Sequence, residues 1–181
     1  MLAAMSKSRP ANVTAGSGLL DVVVVAALAG LIINDHVLKA ASAGTAWRVV
    51  TGKLSDVCGV LFLPVLVVAG TELASAWRRR SAWRGPSVRV AVVVAAVVAV
   101  CFALMKTTAL GGAVYAWSLG TLQWPVRALA ALLSSSSVPA LRPVRHVVDP
   151  GDLIAVPFAF YVVAQARVRA ASWAISGATK V

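Results

Sequence analysis

The sequence predicts an all-α integral membrane protein, built as a bundle of four transmembrane helices plus one interfacial or re-entrant helix. Hydrophobic residues make up 60% of the 181-residue chain and charged residues only 13%, whereas soluble domains carry about 25% charged residues. The hydrophobic residues form runs that approach the roughly 20 apolar residues needed to cross a bilayer as a helix. Lysine and arginine concentrate between those runs, as in membrane proteins with a fixed orientation.

Four apolar segments define the domain plan. We expect a cytoplasmic N-terminal tail over residues 1–18, a single transmembrane helical domain over residues 19–168 and a cytoplasmic tail over residues 169–181. The predicted spans are residues 19–38, 57–77, 88–105 and 152–168. The first and fourth are short with polar ends, which requires snorkelling or local thinning of the bilayer. Pro64 and Pro157 lie inside the second and fourth spans and are expected to kink them.

A fifth stretch, residues 113–133, is apolar but differs from the other four. It contains three residues that disfavour a full crossing: Gln123, Pro125 and Arg127. It also contains aromatic residues of the type that mark membrane interfaces: Tyr115, Trp117 and Trp124. We therefore predict a helix that lies in the interface or re-enters the membrane, followed by a polar linker.

The distribution of positive charge predicts the orientation. A dense loop without acidic residues holds five arginines: Arg78, Arg79, Arg80, Arg84 and Arg89. The positive-inside rule places this loop and both termini in the cytoplasm and the opposite ends of the spans outside it. The expected location is the inner, cytoplasmic membrane of a bacterium. Asp35, His36 and Lys39 separate the first apolar run from Ala41-Ser42-Ala43, so we expect an uncleaved first helix rather than a signal peptide.

Four polar motifs lie at the same predicted end of the spans. Asn34-Asp35-His36 with Lys39 closes the first span, Lys53-Leu54-Ser55-Asp56 opens the second, Lys106-Thr107-Thr108 closes the third and Asp149-Pro150-Gly151-Asp152 opens the fourth. An up-down-up-down bundle brings these four ends together. The sequence therefore predicts one polar site, with a shared pocket among Asp35, Lys53, Lys106 and Asp152.

Helix capping explains part of this pattern, because acids favour helix N-termini and cations favour C-termini by about 0.3–1 kcal/mol each. The expected caps are Asp149 at the N-cap, Pro150 at N1 and Asp152 in a capping box for the fourth span, and Ser55 or Asp56 for the second. Asp35 has no such explanation, since it lies at a C-terminal end. It needs a cationic partner. Lys39 one turn later is within reach, and Lys53 or Lys106 on a neighbouring helix end would serve as well.

The chemistry of the predicted site rests on its acids, its histidine and its lysines. We expect Asp35, His36 and Asp56 to carry acid–base catalysis, or to hold a divalent cation as cofactor. The residues expected to bind the substrate are Lys53, Lys106, Asp149 and Asp152. Arg142 and Arg145 are predicted to lie nearby, and lysine or arginine can hold phosphate. A salt-bridge network that only closes the end of the bundle fits the same residues.

The four motifs also resemble those of a group of small bacterial multi-pass membrane proteins of uncharacterised function. The matching stretches are NDHxxK (residues 34–39), TGKLSD (51–56), FALMKT (102–107) and DPxDL (149–153). The resemblance implies that these motifs belong together. It implies no activity and no catalytic residues.

Three functions are compatible with the sequence. The first is an integral membrane enzyme, whose expected partners are membrane lipids and a lipid-like or isoprenoid substrate. The second is a non-catalytic subunit of a larger complex, with a protein partner or a second copy packed on small residues of the third span: Ala91, Ala95, Ala96 and Ala99. A small transporter component is disfavoured because no ionisable residue lies at mid-span. Nucleic acid is not expected, since topology explains the net charge of +11.

Overall fold

The computed structural model describes residues 13–79 and 83–178, and within these ranges the chain is helical and contains no strand. Five long helices follow one another: α1 (Val22–Ala41), α2 (Trp47–Arg79), α3 (Val88–Thr107), α4 (Ala109–Leu133) and α5 (Tyr161–Ala178). A 3₁₀ segment, Pro150–Phe160, leads directly into α5, and a short 3₁₀ turn, Ser17–Leu20, precedes α1. The predicted all-α fold class is confirmed.

Within the described ranges, four helices are long and apolar enough to cross a membrane, which confirms the predicted number of spans. They cover Val22–Ala41, Trp47–Arg78, Val88–Thr107 and Pro150–Ser176. The protein is therefore a multi-pass membrane protein, whereas the direction of crossing stays a prediction. Four of the cations on which that prediction rests lie outside the described residues: Lys7, Arg9, Arg80 and Lys180.

The second span begins at Trp47 rather than at residue 57. A turn at Gly44, whose φ is +81°, separates it from α1, and glycine adopts that conformation readily. Ser55 and Asp56 consequently lie inside α2, about two turns from its start. The prediction that one of them caps this helix is wrong, because the chain is already helical before it becomes apolar.

The core of the bundle consists of small and β-branched side chains, since the outer faces of the spans are left for lipid. Val24, Val65 and Val162 are almost completely buried, and Ala91 and Ala95 of α3 have no exposed surface. Small residues let helix backbones approach closely. Ala91, Ala95 and Ala99 of α3 are thus packed within the chain's own bundle, whereas Ala96, the fourth residue of the predicted small-residue face, is exposed.

α4 is not among the four spans and forms a hairpin with the segment that follows it. Thr108 alone separates α3 from α4. The chain then returns along α4, where the Trp124 indole donates to the Pro139 carbonyl (2.8 Å). Further along, the Val144 amide donates to the Ala116 carbonyl (3.0 Å). This excursion begins and ends at one end of the bundle, as predicted for an interfacial or re-entrant helix.

Candidate functional site

The polar motifs meet at one end of the bundle, which we call the Lys106 end. It comprises Asp35, Lys39, Lys53, Ser55, Asp56, Lys106, Asp149 and Asp152. These side chains come from α1, α2, α3 and the start of the 3₁₀ segment. The helix ends that the sequence placed together are therefore neighbours in the fold.

A π turn over Asn34–Leu38 shapes the α1 side of this site. Single π turns are rare in proteins overall, but those that occur are often found at functional sites. Asn34 is fully buried, and its Nδ2 donates to the Thr51 carbonyl of α2 (2.7 Å). No described residue pairs with Asn34 Oδ1, although that atom is buried. Sequence analysis assigned no role to Asn34, since a polar residue at a helix end is ordinarily exposed.

Asp35 is held by the next turn of α1 and by α2. Lys39 Nζ lies 2.7 Å from Asp35 Oδ1, and the Ser55 hydroxyl donates to the same oxygen (2.8 Å). Lys39 also donates to Ser55 Oγ (3.1 Å), so the three side chains form a closed triangle. The predicted pairing of Asp35 with Lys39 is confirmed. With side chains 42% and 43% exposed, both partners remain accessible to solvent.

Lys106 is buried, with 8% of its surface exposed. Its Nζ lies between two carboxylates, 2.8 Å from Asp56 Oδ2 and 2.7 Å from Asp152 Oδ2. Lys53 approaches the other oxygen of Asp152 (3.1 Å) and lies 3.9 Å from Asp149. Buried charges are tolerated when they are closely paired and hydrogen-bonded. Lys53, Lys106 and Asp152 converge as predicted. Asp35, the fourth residue of the predicted pocket, pairs with Lys39 and Ser55 instead.

The two acids that open the 3₁₀ segment have different partners. Asp149 accepts a hydrogen bond from the Gly151 amide (2.8 Å), so its predicted N-cap role is confirmed. Asp152 was expected to reach back in a capping box, but its carboxylate is occupied by two lysines. Charge-assisted hydrogen bonds are stronger than neutral ones, which is the physical reason why the capping box does not form.

Three of the predicted site residues stand apart from this network. His36, Arg142 and Arg145 are exposed, and no described residue forms a hydrogen bond or ion pair with their side chains. The structure thus gives Asp35 and Asp56 a defined setting, while the catalytic role expected of His36 has no partner nearby to support it.

A cavity of about 930 Å³ lies between α1, α2, α3 and the start of α4. Its lining is largely apolar and includes α2 down to Leu66 and α3 down to Val97. The polar lining residues are Asp35, Ser55, Asp56, Thr108 and Tyr115. From Asp56 to Leu66 the helix rises about 15 Å, about half the hydrocarbon core of a bilayer. The volume lies within the range of about 300–1,000 Å³ found for small-molecule sites.

Tyr115 lines the cavity from α4 and is held by His146 of the return segment. The two rings pack edge to face, with their centroids 5.2 Å apart. His146 Nε2 pairs with the Met105 carbonyl of α3 (2.9 Å). Burial raises the pKa of the Tyr115 hydroxyl, so the group stays neutral and can donate a hydrogen bond. The sequence predicts Tyr115 only as an interface aromatic, because it does not predict the hairpin that brings this residue to the cavity.

Among the described residues, no three His, Cys, Asp or Glu side chains come together as ligands for a metal ion. The aspartates of the Lys106 end are paired with lysines instead. The donor set is therefore a group of lysine-paired carboxylates, and the divalent cation expected as a possible cofactor stays a prediction.

The opposite end of the bundle contains a second buried ion pair, which sequence analysis missed. Arg169 donates to both oxygens of Glu72 (3.0 and 2.8 Å). Glu72 also accepts from the Gly16 amide (2.9 Å), and Arg169 donates to the Thr14 carbonyl (3.1 Å). The segment before α1 thus lies across this end, which we call the Glu72 end and define by Thr14, Gly16, Glu72 and Arg169.

The fold and the site together define a helical membrane protein with a buried Asp–Lys network at the mouth of an apolar cavity. No protein-family model matches the chain, and comparison with curated proteins and with solved structures gave no match. The resemblance of the four motifs to small bacterial multi-pass proteins therefore stays a prediction.

Proposed function

We propose that the protein is an integral membrane enzyme that binds a lipid-like substrate, such as an isoprenoid, and acts on it by acid–base chemistry. One observation carries this proposal: the apolar cavity ends at two carboxylates, Asp35 and Asp56. An apolar chain could lie along α2 and α3, but lipid tails are equally apolar, so selectivity for one ligand would come from its polar end. The polar end of the same molecule would then lie beside the two acids.

Asp35 and Asp56 are the groups proposed to exchange protons with the substrate, because a general acid or base must come within hydrogen-bond reach of the reacting group. Both line the cavity, and lysines lie 2.7 Å from Asp35 and 2.8 Å from Asp56. Lys53, Lys106 and Asp152 do not line it. Their proposed role is therefore to position Asp56 rather than to bind the substrate directly.

The orientation belongs to the same proposal. The arginine-rich connection between α2 and α3 lies at the end opposite Lys106, so the Lys106 end would face away from the cytoplasm of a bacterial inner membrane. Reporter fusions at the C-terminus and near Ser135 test this. The C-terminal fusion should report the cytoplasm and the Ser135 fusion the other side, and a cytoplasmic signal from both would contradict the orientation.

Gly59→Phe tests the cavity as a substrate site. Gly59 lines the cavity, and a Cβ at this position would meet no atom within 4 Å, so a side chain can start here and occupy space in the cavity. Gly70→Phe is the matched control, since Gly70 lies on the same helix in equally open surroundings and does not line the cavity.

The readout is mass spectrometry of lipid-like molecules that copurify with each variant in mild detergent. The Gly59→Phe protein should lose a bound amphiphile that the wild-type and Gly70→Phe proteins retain, because its ring occupies the same volume. Equal amounts of bound amphiphile in the two variants would count against the cavity as the substrate site.

A non-catalytic membrane subunit is the second candidate, and one observation favours it. Lys39, Lys53 and Lys106 each have an aspartate partner, as expected of a network that only closes the end of a bundle. The two candidates differ in whether Asp35 is needed for more than folding, and Asp35→Asn tests this difference.

A further inference from the structure

The side chains that line the cavity differ in charge from those just behind them. Asp35 and Asp56 line it, whereas Lys39, Lys53 and Lys106 do not. A ligand inside the cavity would therefore meet carboxylates first. Lys39 and Lys106 approach these two carboxylates from outside the cavity, and Lys53 pairs with Asp152 and Asp149 behind them.

The lining hydroxyls of Ser55 and Thr108 are already committed to partners within the protein. Ser55 donates to Asp35 and accepts from Lys39. Thr108 donates to one backbone carbonyl and accepts from one backbone amide in adjacent turns. A carboxylate has about four lone-pair sites, so Asp35 and Asp56 keep acceptor capacity after their lysines are bound.

The charge balance of the Lys106 end favours the same kind of ligand. Four aspartates (residues 35, 56, 149 and 152) face three lysines (residues 39, 53 and 106), which leaves one formal negative charge in excess. Asp35 and Asp149 are 42% and 51% exposed, so water screens part of this excess. The preference for a cation over an anion therefore rests on the two carboxylates that line the cavity. Aromatic residues also line the cavity, namely Phe62, Phe102 and Tyr115, and aromatic faces attract cations.

We infer that the ligand of this cavity is an amphiphile whose polar end is a hydrogen-bond donor, an amine in preference to a hydroxyl, and not a phosphate. The inference rests on the proposed function, since it takes the cavity as the ligand site. The donor would lie between Asp35 and Asp56, and the apolar chain would extend towards Leu66 and Val97. This donor takes the place of the phosphate head group that the lysines of the sequence suggested.

Cys101 provides a native reporter of occupancy. It is exposed and lines the cavity, whereas Cys58 is buried. The full-length protein in phosphatidylcholine nanodiscs is labelled with N-ethylmaleimide in the presence of hexadecylamine, hexadecanol or hexadecyl phosphate, which carry the same chain. We expect hexadecylamine to protect Cys101 at about tenfold lower concentration than hexadecyl phosphate, the scale of one charge-assisted hydrogen bond, with hexadecanol between them. Equal or stronger protection by the phosphate would overturn the inference and leave the cavity as the ligand site.

Two variants that each remove one negative charge test whether the contact is direct. Asp56→Asn should remove most of the advantage of the amine over the phosphate. Asp21→Asn should leave that advantage unchanged, because Asp21 caps the opposite end of α1, where it accepts from the Val23 amide (2.9 Å). Equal losses in both variants would indicate a general effect of net charge and would overturn the inference. If Asp56→Asn does not accumulate in the membrane, the half-exposed Asp35→Asn provides the same comparison.

Failure of the proposed function would give a different result. Gly59→Phe should abolish protection by all three probes, because its ring fills the cavity. If none of the probes protected Cys101 of the wild-type protein, both the cavity as a ligand site and the head-group preference would be wrong.

Discussion

Both ends of the bundle bury charges, but they pair them differently. At the Glu72 end one carboxylate meets one guanidinium through two hydrogen bonds, and the segment before α1 covers the pair. At the Lys106 end one ammonium is shared by Asp56 and Asp152, and Asp56 faces a cavity of about 930 Å³. The first arrangement borders a smaller cavity of about 250 Å³, which Glu72 lines, and the second opens onto the larger one.

The difference shows how a structural ion pair is distinguished from a candidate functional one. Glu72 accepts two hydrogen bonds from Arg169 and one from the Gly16 amide, which leaves its carboxylate little capacity for a ligand. No described residue pairs with the buried Arg169 Nε. Asp21, near the Glu72 end, is committed in the same way: burial alone would raise its pKa, but hydrogen bonds from the Tyr161 hydroxyl and the Val23 amide outweigh burial and lower the pKa. Among the described residues, the carboxylates with spare acceptor sites that line the cavity of about 930 Å³ are those of the Lys106 end.

Lys106→Met is expected to have the largest effect on stability. It leaves Asp56 and Asp152 buried without their shared cation, and breaking a buried pair costs about 3–5 kcal/mol. The free energy of unfolding in mixed micelles, measured by denaturant titration, checks this. Lys39→Met is the control, because its half-exposed pair with Asp35 contributes within about 1 kcal/mol. Equal losses of unfolding free energy in the two variants would show that burial between two carboxylates does not make Lys106 more important for stability than the half-exposed Lys39.

Glu72→Gln should have an intermediate effect, about 1.5–3 kcal/mol. Glutamine keeps an oxygen that can accept from Arg169 but loses the charge that strengthens the bond. The same titration measures the loss. Protection of Cys101 by hexadecylamine should be unchanged in this variant. Loss of this protection at normal stability would indicate that the Glu72 end takes part in ligand binding, contrary to its structural role.

Asp35→Asn should have the smallest effect on stability and a large effect on function. Its side chain is 42% exposed, so the cost in unfolding free energy should be within about 1 kcal/mol. If Asp35 exchanges protons with a substrate, the variant should insert normally but fail to complement a strain that lacks the protein. Full complementation by a normally expressed variant would argue against catalysis and favour the subunit function.

The spans and part of the site could be predicted from the sequence because they depend on hydropathy and connectivity. Lys53, Lys106 and Asp152 converge because successive spans alternate in direction, which brings their motif-bearing ends together. The start of α2 could not be predicted in the same way. Its first turns include Arg48 and Thr51, and such polar turns are helical because neighbouring elements hold them rather than because they are apolar.

Other parts of the site depend on tertiary geometry alone. Asn34 is buried next to α2 at a π turn, and no periodic pattern in the sequence marks such a turn. Arg169 and Glu72 are 97 positions apart, and each looks like an ordinary charge near the end of a span. The cavity depends on the spacing of α2 and α3 and on the absence of a side chain at Gly59, which composition does not reveal.

The Glu72–Arg169 pair can form only late in biosynthesis. α1 and α2 are made before α5, so Glu72 has no guanidinium partner until Arg169 has been translated and its helix inserted. Unpaired acids are costly near hydrocarbon. A chain that stops before α5 therefore differs from the full sequence in having Glu72 without its Arg169 partner. The Thr14 carbonyl accepts from the same arginine (3.1 Å), so this contact of the early segment forms only after the last helix is in place.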